Sequence, residues 1–330
     1  MKVLFIGGTG NISTSVSRLC VERGVDLYLL NRGKRGVKIR GAKTITGDIS
    51  NPKKLASDIG KQRWDVVVDW IAFTEADIER DINLFRGKTR QFVFISSASA
   101  YQKPPTFPII TESTPLCNPY WEYSRNKIAC EERLNRAYRD EGFPITIVRP
   151  SFTYDTVVPL AIGGWSEYTA VDRMTKGEKV IVHGDGTSLW TITHAEDFAK
   201  GFVGLLGNAR AIGHPFTITS DEALTWDQIY MTVAEAVGVE PKIVHIPTDF
   251  LIRIDNSLTG TLLGDKSHCA IFDNSKIKSF VPDFKATIPF SEGSRRTMAW
   301  FDADPRRKVV NKSTNEMMDK IIRAYEKITV

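Results

Sequence analysis

The chain has 330 residues, of which 42% are hydrophobic and 25% charged, and it carries a formal net charge of +5. The length exceeds what one small core needs and allows a large α/β domain with a second lobe, and the composition is that of a soluble globular protein. No apolar run approaches the length of a membrane span, and the mild basic excess suits a phosphate-bearing ligand as well as a nucleic acid.

Residues 2–6 read as a short apolar strand running into Gly7-Gly8-Thr9-Gly10-Asn11-Ile12-Ser13. The run is too short for the apolar segment of a signal peptide and breaks at glycine, so a cytoplasmic protein is expected. Helical periodicity follows over 11–23. Further strands are expected at 26–30, 43–46, 65–69, 91–96 and 145–148, and helices at 52–60, 75–85 and 121–141. Strands alternating with helices predict a doubly wound parallel sheet, with every strand's C-terminal end on one edge, where ligands bind. After Arg149-Pro150 the pattern loosens, and 156–189 is rich in glycine and turn residues. A helix at 194–207 and a strand at 215–219 return to the sheet. A helix at 226–237, a strand at 242–246 and a charged helix at 315–327 complete the chain. The expected division is a dinucleotide-binding domain over 1–155 and 190–219, and a smaller, interleaved α/β substrate lobe over 156–189 and 220–330. Four cysteines form no CxxC pair, and Cys20 and Cys130 fall within helical patterns, so buried free thiols are expected; five histidines form no HxxxH or HExxH pair, so no structural metal is expected.

The glycine loop is informative because it follows a strand and opens a helix. Gly7 permits the tight turn, Gly10 lets the backbone approach a pyrophosphate, and the helix start at Asn11 and Ile12 offers free N–H groups and partial positive charge. Ser13 stands where a third glycine is usual; that position governs how closely the helix packs on the strand, so the site is expected to survive. The second strand ends in Asn31-Arg32-Gly33-Lys34-Arg35, without the carboxylate that would hold an NAD ribose. Arg32 can pair with a 2′-phosphate, which favours NADP over NAD, unless this is a solvated basic turn. Asp48 and Ile49, after the third strand, are expected near an adenine.

A strand ending in hydroxyls, Ser96-Ser97-Ala98-Ser99, precedes a helix carrying Tyr123 and Lys127, four apart and therefore on one face. Among nine tyrosines only Tyr123 has a lysine four residues on. A nearby ammonium and a positively charged nicotinamide ring both favour a phenolate, so Tyr123 is expected to titrate toward working pH and act as acid or base, with Ser97 on the same substrate oxygen. The plainer alternative is a pair of ordinary surface-helix residues.

With these motifs in order, the chain resembles the extended short-chain dehydrogenase/reductases of the NAD-dependent epimerase/dehydratase type. GGTGNIS, YSRNK, VRPSFTYD, HGDG and HAEDFAKGF carry the likeness. It implies a Rossmann sheet, a Ser97-Tyr123-Lys127 triad, cofactor contacts at Trp70, Ile71, Ala72, Lys127, Pro150 and Ser151, and a substrate pocket including Ser99, Tyr101, Phe152 and Trp190. It also implies a small-molecule substrate and pairing of two copies through a helix bundle, with no role for a membrane. Phe152 and Trp190 stand where sugar-nucleotide epimerases often carry an asparagine and a diphosphate-gripping arginine, which argues against that substrate class. Ala98 and Ser99 replace the Asp-Glu pair of 4,6-dehydratases and argue against that reaction. Two readings result: an NAD(P)-dependent epimerase or reductase acting on a sugar-like alcohol or carbonyl, and a cofactor-holding scaffold that binds RNA, similar to chloroplast stem-loop binding proteins. The second is disfavoured because no stripe of interleaved basic and aromatic residues is present.

Overall fold

The computed structural model describes residues 1–33, 36–51, 59 and 61–329. Most of the helix expected over 52–60, and the basic pair Lys34 and Arg35, lie outside the described residues.

Seven parallel strands form the central sheet: β1 (Lys2–Ile6), β2 (Asp26–Asn31), β3 (Lys43–Thr46), β4 (Trp64–Asp69), β5 (Thr89–Ile95), β6 (Ile145–Pro150) and β7 (Pro215–Ile218). Their order is β7-β6-β5-β4-β1-β2-β3. The inner strands read as unbroken apolar runs because helices cover both faces; Val3, Leu4, Phe5 and Ile6 are all fully buried. Val3 faces Leu27 on one side and Val66 on the other. The strand order reverses between β1 and β4, opening a crevice at their C-terminal ends.

Among the described residues, the sheet is flanked by α1 (Ser13–Glu22), α2 (Glu75–Phe85), α3 (Glu122–Glu141) and α4 (Ala195–Leu205), which shape this crevice. Thr74 and Asp77 close a capping box at the start of α2, and Gly142 ends α3 in the left-handed conformation. β6 runs two residues past the expected end, to Pro150, pairing with β7 along its length.

One core lies under α1 and α4, a second lies on the opposite face under α2 and α3, and a third is built around Trp190, Trp226, Tyr230 and Met318. Trp190 and Ile192 pack into this third core, whereas Ile277 and Phe284, from late in the chain, pack beneath the sheet. Among the described residues no helix is long and apolar enough to cross a membrane.

Candidate active site

The glycine loop is shaped by its own helix. Gly7 and Gly8 take φ of 98° and 102°. A Cβ at Gly8 would lie 2.7 Å from Leu29 Cδ2, so a side chain there would both strain the backbone and collide with β2. The first residues of α1 are hydroxyls, and four of them are buried. Ser13 Oγ accepts from the Gly10 N–H (2.8 Å). Thr14 Oγ1 donates to the Gly10 carbonyl (2.7 Å), and Ser17 Oγ donates to the Gly8 carbonyl (2.8 Å). Ser13 is therefore a structural part of the loop: its hydroxyl holds the Gly10 N–H. The Asn11 and Ile12 amides have no acceptor among the described residues.

The Asn11 side chain is committed to the protein. Its Nδ2 donates to the Thr153 carbonyl (2.8 Å), and its Oδ1 accepts from the Asp155 N–H (3.0 Å). Asn31 is likewise engaged, its amide nitrogen donating to the Gly7 carbonyl (2.9 Å). Arg32 is exposed at the cleft mouth together with Lys38 and Arg40. Asp48 accepts from the Ser50 N–H and hydroxyl, closing a turn, and Ile49 is buried.

The turn after β4 is set by Asp69, which sequence reasoning missed. Its Oδ1 accepts from the N–H groups of Ile71 (2.6 Å) and Ala72 (2.8 Å). Arg80 reaches Asp69, Asp77 and Asp81. Burial and the neighbouring Asp69 push the Asp81 carboxyl well above the usual range. Trp70 and Ile71 line the cleft, with the Trp70 ring packed on Phe5 and Phe202. Ala72 sits behind the wall and contributes its carbonyl.

That carbonyl holds Lys127. The ammonium is 2% exposed and donates to the carbonyls of Ala72 (2.7 Å) and Ile95 (2.8 Å). It lies 4.5 Å from the Phe73 ring centre and 5.8 Å from that of Tyr123. Burial brings it down to about 8. Ser97 lines the same cleft wall as the Tyr123 phenol and lowers it slightly. It also meets Ser99 (2.9 Å), which accepts from the Ser124 hydroxyl (2.8 Å). The expectation that Tyr123 titrates toward working pH is corrected for the protein alone: burial pushes its phenol up, the field of Asp265 adds to this, and Ser97 offsets only part.

A single cleft of about 1680 Å³ takes in Gly7, Gly10, Asn11, Ile12, Asn31, Arg32, Asp48, Ile49, Trp70 and Ile71 at one end. It continues along Ser97, Ser99, Tyr123, Lys127, Pro150, Ser151, Phe152 and Trp190. Tyr101, expected in the substrate pocket, is not among its walls. It is fully buried, with its hydroxyl on Thr217 (2.7 Å) and the Arg149 guanidinium 4.8 Å from its ring centre. Arg149 is itself held by buried Glu131 (2.6 and 3.0 Å). Burial works against the Arg149 charge, but Glu131 outweighs it and keeps the guanidinium charged. This "RP" arginine is structural.

Two further groups, one buried behind the cleft wall and one on it, gave no signal in the sequence. Asn118, 2% exposed, donates to the carbonyls of Ser99 (2.8 Å) and Gly264 (2.7 Å) and accepts from the Tyr120 and Trp121 N–H groups. Lys103, Asp265 and Lys266 line the cleft from distant parts of the chain.

A parallel sheet with a glycine loop at its switch point and a Tyr-Lys helix beside it is the arrangement of dinucleotide-binding α/β proteins. The chain belongs to the NAD dependent epimerase/dehydratase family, whose model matches residues 3–219. It is 27% identical over 265 residues to the chloroplast stem-loop binding protein of 41 kDa b of Arabidopsis thaliana, across 76% of this chain and 67% of that protein. It is 29% identical over 169 residues to a UDP-glucose 4-epimerase of Lactobacillus helveticus, across 45% of this chain and about half (51%) of that protein. The fold is similar to that of a UDP-glucose 4-epimerase of Bifidobacterium longum solved with NAD+ and UDP, with a TM-score of 0.73 at 17% identity over 93% of this chain and 100% of that one.

Proposed function

We propose that the protein is an NAD(P)-dependent epimerase or reductase acting on an alcohol or carbonyl of a sugar-like small molecule, with Tyr123 as acid and base. The observation that carries this reading is the meeting of Ser97, Tyr123 and a buried Lys127 on the wall of the cleft that begins at the glycine loop. A nicotinamide dinucleotide suits the residues present: the Asn11 and Ile12 amides at the start of α1 stand ready for a pyrophosphate. When bound, such a cofactor supplies a hydride donor or acceptor. Tyr123 would move the proton at the substrate oxygen, Ser97 would hold that oxygen, and Lys127 would lend positive charge and keep the phenol oriented.

Replacing Tyr123 by Phe is expected to abolish turnover by at least about a hundredfold while leaving cofactor affinity within about twofold, since proton transfer of this kind contributes 10²–10⁴. Fluorescence titration with NADPH and NADH gives the affinity; a chain that binds neither cofactor sinks the reading. Arg32, with Lys38 and Arg40 on the same mouth, supports a preference for the 2′-phosphate. Arg32→Ala should cost NADP affinity about tenfold and NAD affinity little; equal losses would remove the NADP assignment. Cofactor recovered with the purified protein separates the two chemistries: retained NAD favours epimerisation, exchangeable NADP favours reduction.

RNA binding is the second reading, favoured by the likeness to the stem-loop binding protein and by the net charge of +5. Salt-sensitive retention of a stem-loop RNA, unchanged by Tyr123→Phe, in a chain without turnover would favour it.

A further inference from the structure

The far end of the cleft is built by a turn of π-helix, Leu262–Lys266, closed by the Ser267 N–H on the Leu262 carbonyl (2.9 Å). Such turns are uncommon and recur at functional sites. This one is fastened from three directions. Trp226 Nε1 donates to the Lys266 carbonyl (3.0 Å), and His183 Nε2 lies 2.8 Å from the same oxygen. Asn118 donates to the Gly264 carbonyl, and a Cβ at Gly264 would lie 2.8 Å from Trp121 Cβ. The fastening turns Asp265 and Lys266 into the cleft.

Lys103 joins them from the loop after β5. It is 3% exposed, lines the cleft, and its ammonium has no hydrogen-bond or ion-pair partner among the described residues. Lys266, 8% exposed, has one carboxylate, Asp265, at 3.4 Å, and its ammonium sits 4.8 Å from the Phe152 ring centre. Asp265 also bears on Lys103 and on the Tyr123 phenol. His268 nearby is held neutral by burial and by Lys103. The group is thus two ammonium ions against one carboxylate, leaving one buried positive charge that is costly unless an anion meets it. Beside it, Phe152 stacks on Trp165 (5.0 Å, 13° between planes), and Trp165 is held at a φ of 62°, unusual for a large side chain. That pair is an apolar wall next to a cationic end.

We propose that Lys103 and Lys266 bind an oxyanion on the substrate, so that the substrate is a hydroxy or keto compound carrying one anionic group, a carboxylate or a phosphate monoester, with its body against Phe152 and Trp165. This rests on the enzymatic reading of the cleft and supplies the donors that Phe152 and Trp190 do not.

The test is calorimetric titration of the full chain, saturated with NADP, by glucose, gluconate, glucose 6-phosphate and UDP-glucose. Gluconate or glucose 6-phosphate should bind at least about tenfold tighter than glucose, and the stronger of the two identifies the anion as carboxylate or phosphoryl. Lys266→Met and Lys103→Met, each checked for folding by circular dichroism, should erase that preference while NADP affinity stays within about twofold; Lys266→Arg should restore most of it. An anionic sugar no tighter than glucose, no binding by any of the four, a preference that survives both Met variants, or UDP-glucose as the tightest ligand would each overturn the proposal. NADP binding and the effect of Tyr123→Phe are read separately, so loss of the enzymatic reading is distinguishable from loss of this one.

Discussion

Ser13 and Lys127 show how much a single side chain decides in this cleft. Ser13 Oγ accepts a half-buried N–H from Gly10, so Ser13→Ala leaves that donor without its protein partner. A loss of about 1–2 kcal/mol in urea unfolding is expected, with NADP affinity changed by less than about threefold, because the Asn11 and Ile12 amides are untouched. A large affinity loss with no stability loss would contradict this. Lys127 makes its contribution felt through pH. Its folded value of about 8 lies below the ordinary 10.5, so between these values the unfolded chain holds a proton that the folded chain has released. Its contribution to stability therefore rises with pH across that window. The stability gap between the native chain and Lys127→Met should widen from about pH 8 upward, by at most about 1.4 kcal/mol per pH unit, and a gap that stays constant in urea titrations would refute it. Residue type and spacing single out Ser97, Tyr123 and Lys127, and the fold brings them to one cleft wall. Lys103, Asp265 and Lys266 carry no such signal: they are ordinary residues that only the tertiary fold brings to one place.

At the scale of elements, the start of α3 and the π-turn share a single fastener. Asn118 ties the carbonyls of Ser99 and Gly264 together while receiving the two N–H groups that lead into α3. Asn118→Ala leaves several buried groups unpaired, and a stability loss of about 3 kcal/mol is expected. Turnover should fall as well, because Ser99 positions Ser97 and α3 carries Tyr123; full activity in a destabilised variant would show that these elements hold their places independently. The helix and strand positions of the sheet half were legible because a parallel strand buried on both faces must be continuously apolar and a surface helix must repeat every 3.6 residues. The π-turn follows no such period, and residues 259–267 offered no pattern from which to read it.

For the whole molecule, the alternation of strands and helices was enough to give the sheet and to locate the crevice at its edge, since chirality leaves few ways to wind such a chain. The far wall was less legible. Trp190 belongs to the core shared with Trp226, while Ile277 and Phe284 return beneath the sheet. Apolar residues in both lobes look alike in a sequence, and only packing assigns each to its core. Tyr101 illustrates the same point: the family likeness put it in the pocket, but it lies in the interior against Arg149.

The Asn11 bridge has a consequence for the order in which the protein is made. Its two hydrogen bonds close loops of 142 and 144 residues, to Thr153 and Asp155. The glycine loop leaves the ribosome well before Thr153 and Asp155, so it cannot be completed until 144 further residues have been made. At ordinary synthesis rates that is a wait of about ten seconds or more. The loop's own hydroxyl contacts from α1 can hold it meanwhile, so a nascent chain would carry a shaped but unfinished loop until Asp155 arrives.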